Sequence, residues 1–229
     1  MAVTPTPLKT FALRPPKAPN LLIAPTDYSQ QYQDQMNNAL RLYFNQIDNF
    51  GLGLTSTNGG AFLTFPAIAA YYYPAQYASG DNTPTIVAWN GTSKVAGFTL
   101  NADNTATANQ PGTYKITYSL QFANSDNAQH DAIVWLRVNN TDVANSTTIF
   151  SVLARKSAGV YSYVCGYSEV VFDLNVGDKV GLWWGTDQHA TSGGAAGVWI
   201  YSRAAQTSPM AYPQTPSAIG SITFVSGLY

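Results

Sequence analysis

Few residues of this 229-residue chain could do covalent chemistry. It has two histidines, His130 and His189, one cysteine, Cys165, and one glutamate, Glu169. Nucleophilic catalysis needs a Ser or Cys beside a His that an acid orients. His130-Asp131 opens a strand pattern, and Asp187-Gln188-His189 lies in a polar loop with Gly193-Gly194. No Gly-x-Ser-x-Gly elbow accompanies either one, so both histidines read as exposed loop residues. No Cys or His pair has zinc spacing, and no Asp-rich calcium loop is present. Asp126 and Asp131 share one loop and read as solvated acids. Glycoside hydrolysis needs two carboxyl groups across a cleft, yet Glu169 falls inside a strand pattern. The chain is expected to be no enzyme and to hold neither metal nor cofactor.

Composition narrows the class further. Apolar residues make up 45% of the chain and charged residues only 10%, against about 25% charged in ordinary soluble proteins. Neutral polar groups or other subunits must therefore cover the surface. A formal net charge of −1 argues against a nucleic-acid partner, because phosphate binding requires a dense basic surface. No apolar run approaches the roughly 18 residues of a membrane span, and the N-terminus lacks a secretory apolar core. The sequons at Asn90, Asn139 and Asn145 consequently carry little weight. Cys165 lies in an apolar strand pattern and is expected to be a buried thiol.

The elements follow from periodicity. In 112–122 the apolar residues Tyr114, Ile116, Tyr118, Leu120 and Phe122 occupy every second position, with Lys115, Thr117, Ser119 and Gln121 between them. A strand sends alternate side chains to opposite faces, so this is a long half-buried strand entered through Pro111-Gly112. Shorter strand patterns fall near 85–89, 95–100, 132–138, 147–153, 159–174, 179–184 and 197–202. Asn90-Gly91, Asn139-Asn140, Ser157-Ala158-Gly159 and Gly177-Asp178 supply the turns. Eight strands without intervening helices predict an all-β, antiparallel jelly-roll sandwich head over 85–202. Residues 51–84 read as a linker and first edge strand, and 203–229 as a C-terminal tail, either a terminal strand or a second arm.

An arm and one α-helix precede the head. Residues 1–26 contain six prolines, which favour an extended path. The basic residues Lys9, Arg14 and Lys17, with Phe11, Leu13, Leu21, Leu22 and Ile23 as apolar anchors, predict an arm that orders on an acidic partner surface. The helix spans 27–50, capped by Thr26 or Asp27 and ended by Gly51 and Gly53. Met36, Leu40, Tyr43, Ile47 and Phe50 form an a/d seam of about two heptads, suited to self-association or to the chain's own globular domain.

The aromatics divide by face. Trp183 and Trp184 are adjacent on one strand, so one belongs to the core and the other to an outer face or subunit interface. Tyr114, Tyr118, Trp135 and Trp199 join them as core and interface aromatics. The loops 124–131 and 186–195 are the more exposed candidates for receptor contact.

Several segments together carry a family likeness. They are Gly112-Thr113-Tyr114, the run Ile133-Val134-Trp135-Leu136-Arg137-Val138-Asn139-Asn140-Thr141, Val143-Ala144-Asn145-Ser146, and the Gly177-Asp178 turn between Leu174 and Leu182. In this order they resemble the trimeric jelly-roll heads of the complement and tumour necrosis factor superfamily. They more closely resemble the form of that head found in bacteriophage virion proteins. The likeness covers roughly 60–202. The helix residues Asn38–Phe50 are also similar to the N-terminal region of structural proteins from phages of aquatic bacteria. The resemblance implies a homotrimer with tyrosines and aliphatics around a threefold axis. Some heads of that superfamily bind calcium, but no acidic cluster here matches such a site.

Two functions are expected from these features. In the first, the chain is an accessory structural protein of a phage virion that docks on capsid or tail proteins through its arm and helix, with capsid decoration favoured. In the second, it is the head of a short tail fibre or spike that binds a host surface receptor or glycan. A secreted lectin-like module is a third class.

Overall fold

The computed structural model describes residues 16–21, 23, 26–55, 65–192 and 195–228. Two compact units divide at Thr64 and Phe65. The arm residues Lys9, Phe11, Leu13, Arg14 and Leu22 lie outside the described residues. Lys17, Leu21 and Ile23 are exposed and belong to no helix or strand.

In the first unit, α1 (Gln30–Thr55) starts later and ends later than expected. Ser29, rather than Thr26 or Asp27, caps it: the Tyr32 N–H donates to Ser29 Oγ at 3.3 Å. Gly51 and Gly53 do not end the helix. Glycine costs about 1 kcal/mol in a helix relative to alanine but blocks no hydrogen bond. Met36, Leu40, Tyr43 and Phe50 are half-buried, Ile47 is exposed, and Leu42, Phe44 and Leu52 add apolar surface off the seam. No helix among the described residues is long and apolar enough to cross a membrane.

Among the described residues the second unit contains thirteen strands. They are β1 (Ala67–Tyr72), β2 (Thr85–Ile86), β3 (Gly91–Ala96), β4 (Phe98–Leu100), β5 (Ala106–Ala108), β6 (Gly112–Asn124) and β7 (His130–Val138). Then follow β8 (Thr141–Asp142), β9 (Thr148–Val152), β10 (Ser162–Leu174), β11 (Lys179–Thr186), β12 (Val198–Ile200) and β13 (Ala218–Ser226). One sheet runs β10-β6-β13-β1-β3, with β12 also on β6; the other runs β4-β5-β11-β7-β8, with β2 on β11 and β9 on β7. All these ladders are antiparallel. The chain passes from one sheet to the other after β1, β2, β3, β5, β6, β9, β10 and β11, which makes the head an antiparallel jelly-roll sandwich.

Several boundaries differ from the expected ones. β1 is not an edge strand, because β3 pairs along its free side and leaves β1 between β3 and β13. The pattern at 95–100 is two strands, since Gly97 (φ +68°) turns the chain from one sheet into the other. The C-terminal tail is part of the head: β13 lies between β6 and β1, so the unit begins at Phe65 and includes the segment beyond 202. Asn139 and Asn140 both have positive φ and form a two-residue hairpin between β7 and β8.

The core explains why β6 has its pattern. Tyr114, Ile116, Tyr118, Leu120 and Phe122 are all buried against Val134, Leu136, Leu182 and Trp184 of the facing sheet. Each such side chain contributes about 1.5–3 kcal/mol by leaving water. The motif Val143–Ser146 serves this packing: buried Ser146 Oγ accepts from the Leu136 N–H at 3.0 Å and donates to Val143 O at 2.7 Å.

Candidate functional site

One end of the sandwich gathers the turns that follow β6, β9 and β11. Buried Asn124, the last residue of β6, holds them: its Nδ2 donates to Ala128 O, Val152 O and Leu153 O at 2.8, 3.2 and 3.0 Å, and its Oδ1 accepts from the Asp126 N–H at 2.8 Å. His130 is not an exposed loop residue. Its Nε2 lies 2.9 Å from Asp126 Oδ2 and its Nδ1 2.9 Å from Asp187 Oδ2. Burial acts to lower the His130 pKa, but the hydrogen bonds and charges of the two carboxylates outweigh it and raise the value above 6.5. His189 Nδ1 likewise lies 2.6 Å from Asp81 Oδ1, and this hydrogen bond holds the Asp81 carboxyl below 3.8. Asp131 is not a free solvated acid either: it accepts from Ser151 Oγ at 2.6 Å.

Beside these clamps opens a cleft of about 360 Å³. Trp199 of β12 forms its floor, only 7% exposed, with the Tyr161 ring set at 86° to it and 5.0 Å away. Tyr77, Arg155, Thr191 and Ser192 complete the walls. The Arg155 N–H donates to Asp126 O at 2.8 Å, which fixes where its side chain enters. Ser125, which lines the cleft, is tied to Gly197: the Gly197 N–H donates to Ser125 Oγ at 3.2 Å and its carbonyl accepts from the Ser125 N–H at 3.0 Å.

The outer face of the β10-β6-β13-β1-β3 sheet is a second candidate surface. Register places Tyr167, Ser119, Ile219 and Tyr71 in one row across four strands, without a charge among them. Tyr163, Val171 and Val225 extend the apolar surface, and Tyr163 and Tyr167 are each 58% exposed. The one ion pair on β6 and β10 joins Lys115 and Glu169 at 3.5 Å. Cys165 is on this exposed face rather than in the core, 3.2 Å from Ser119 Oγ. The sequence of β10 is apolar on both sides, so alternation could not assign its faces.

The opposite sheet carries its own outer cluster. Trp135 and Trp183 face each other across β7 and β11, and the Arg137 guanidinium lies 4.3 Å from the Trp183 ring centre. Asp142 Oδ1 accepts from Trp135 Nε1 at 2.7 Å and from Arg137 Nε at 2.6 Å. Trp184 is fully buried and Trp183 is on the outer face, as adjacent strand positions require. Tyr114 and Tyr118 are core residues.

Of the sequence candidates, the structure thus brings Trp199 together with parts of the loops 124–131 and 186–195. No pattern in the sequence marks Tyr77, Arg155 and Tyr161 together, because Tyr77 lies far along the chain from the β9–β10 turn that carries the other two. The one available signal was an arginine followed within six residues by a tyrosine, in a chain with only 11 lysines and arginines. Among the described residues no group of three or more His, Cys, Asp or Glu side chains is arranged to hold a metal ion.

No family model matches the chain, and no curated protein matches it. Among solved structures the chain is similar to Eiger TNF from S. frugiperda, with 9% identity and a TM-score of 0.46 over 73% of this chain and 96% of that one. The jelly-roll fold follows from the strand order of the two sheets.

Proposed function

We propose that this chain is an accessory structural protein of a bacteriophage virion, with a homotrimeric jelly-roll head and an N-terminal arm and helix that dock on the particle. Capsid decoration is the favoured role. The carrying observation is the uncharged row Tyr167–Ser119–Ile219–Tyr71 on an otherwise open sheet face. With five strands set about 4.8 Å apart, the longest of 13 residues at a rise of about 3.3 Å each, the face is at most roughly 800 Å². A standard interface takes about 800 Å² from each partner. Low charge over the chain supports the same reading, since such a face is desolvated at little electrostatic cost.

Attachment through three arms gains from avidity, because each bound arm raises the local concentration of the others. In this reading the chain is not an enzyme.

The test is the solution mass of the full chain, its position on the intact particle, and the effect of deleting residues 1–26. A trimer whose deletion variant no longer binds capsids supports decoration; a stable monomer overturns the trimer. The loop-end cleft favours the tail-fibre or spike reading as the alternative, and direct adsorption of the head to host cells would establish that one instead.

A further inference from the structure

We propose that the cleft floored by Trp199 is a binding site for a saccharide that carries a single carboxylate. Its volume, about 360 Å³, falls within the roughly 300–1,000 Å³ of small-molecule sites. The walls combine aromatic rings with hydroxyls. Tyr77 and Tyr161 offer ring surface above the Trp199 floor, where the C–H face of a sugar ring packs. Ser192 and Thr191 sit where the sugar's own hydroxyls need partners.

Arg155 sets the charge of the ligand. Among the described residues its guanidinium has no hydrogen bond and no ion pair, although arginines in such a wall ordinarily pair. Its charge acts on Asp126, whose Oδ2 is already committed to His130. An unpaired, planar, permanently charged fork is the group that binds a carboxylate through two parallel hydrogen bonds. The surroundings exclude more highly charged ligands. Asp126 already draws on the same guanidinium, and a single cation cannot balance a phosphate dianion against it. A purely apolar ligand would bury the guanidinium without compensation.

The walls are also held before any ligand arrives. Asn124 joins the turns after β6 and β9, and the Ser125–Gly197 pair fixes the strand leading into Trp199. Preorganisation of this kind lowers the ordering cost of binding. The inference is independent of whether the head sits on capsid or tail.

Saturation-transfer NMR and titration calorimetry on the full chain test it. The probes are methyl glucuronide, methyl galacturonide and N-acetylneuraminic acid, with methyl glucoside, methyl galactoside and acetate as controls. At least one acidic saccharide should bind about tenfold or more tighter than the neutral sugars and than acetate. Arg155→Ala should abolish that preference, Arg155→Lys should retain part of it, and Tyr77→Ala should weaken acidic and neutral sugars alike. Unchanged solution mass and thermal midpoint verify that the variants fold; should Arg155→Ala fail to fold, Arg155→Lys and Tyr77→Ala decide. Absence of binding by all three acidic saccharides overturns the proposal. So does indifference of the acidic preference to the Arg155 variants, or acetate binding as tightly as the saccharides. Solution mass and particle position are separate readouts, so failure here leaves the assembly role to stand or fall on its own.

Discussion

His130 Nδ1 lies 2.9 Å from Asp187 Oδ2 and so ties the first residue of β7 to the residue just past β11. The other ring nitrogen meets Asp126 at the same distance. Only the imidazolium donates from both nitrogens, so this clamp favours the charged ring. The other groups about it are Asp131, whose N–H donates to Asp187 Oδ1 at 3.0 Å, and Arg155, which acts on Asp126.

Stability should therefore depend on pH in a defined direction. His130 titrates above its ordinary 6.5 in the folded chain, so its contribution is complete below about 6.5 and disappears as pH rises through the folded value. The His130 hydrogen bond holds Asp126 below 3.8. Burial pushes Asp187 up, but hydrogen bonds from His130 and the Asp131 N–H outweigh it and leave it below 3.8 as well. Their contribution is present above about 3.8 and is lost as pH falls through the folded values. The thermal midpoint should be highest between about pH 4 and 6.5 and fall by roughly 2–4 °C towards pH 8.5. His130→Gln should flatten that alkaline limb, and a variant that keeps the wild-type slope would assign the dependence to other groups.

Tyr118 carries a buried hydroxyl beside those of Thr148 and Ser168, which act on it but are hydrogen-bonded to each other at 3.2 Å. The ring is fully buried, and its OH has no hydrogen-bond partner among the described residues. Leaving a buried polar group unsatisfied costs about 1–3 kcal/mol. Tyr118→Phe keeps the ring and removes the hydroxyl, so denaturant unfolding should show a gain of about 1 kcal/mol. A loss of stability would mean that the hydroxyl is bonded in solution.

Tyr167 and Ile219 flank Ser119 in one row of the outer sheet face. Tyr167→Asp or Ile219→Asp would bury an unpaired charge in a trimer that uses this row. Association should weaken by about 2–4 kcal/mol, or roughly 30- to 1,000-fold, with the fold retained. Sedimentation equilibrium would show the shift to monomer; undiminished trimer would place the interface on another face.

Gly197 is held at φ +156°, and a Cβ there would lie 2.5 Å from the His189 carbonyl carbon and 2.7 Å from Gln188 O. Both contacts are with backbone and cannot be relieved by a rotamer change. Gly197→Ala should cost about 1–3 kcal/mol and increase hydrogen exchange in 186–192 ahead of the β6 amides. Uniform exchange across the head would show that the turn is not an independent local unit.

The sandwich was legible because it depends on local alternation. The pattern of β6 and the Asn139-Asn140 and Gly177-Asp178 turns each state their geometry within a few residues. Where alternation fails, the sequence does not place the side chain. β10 carries apolar residues on both faces, so its pattern suits a buried Cys165 although the thiol faces outward. Gly97 splits a continuous apolar pattern between two sheets, and only its positive φ reveals the break.

The sequence by itself determined the fold class: strand periodicity sets which side chains face inward, and the scarcity of charge leaves neutral polar and apolar groups to cover the surface. The tertiary structure alone decided which strands are neighbours. β13 pairs with β6 about 100 positions away, and His130 meets Asp187 across 57. Tyr77, the β9–β10 turn with Arg155 and Tyr161, and Trp199 of β12 converge on one cleft from distant parts of the chain. Such juxtapositions arise from the packing of two whole sheets, a property that no short window of residues carries.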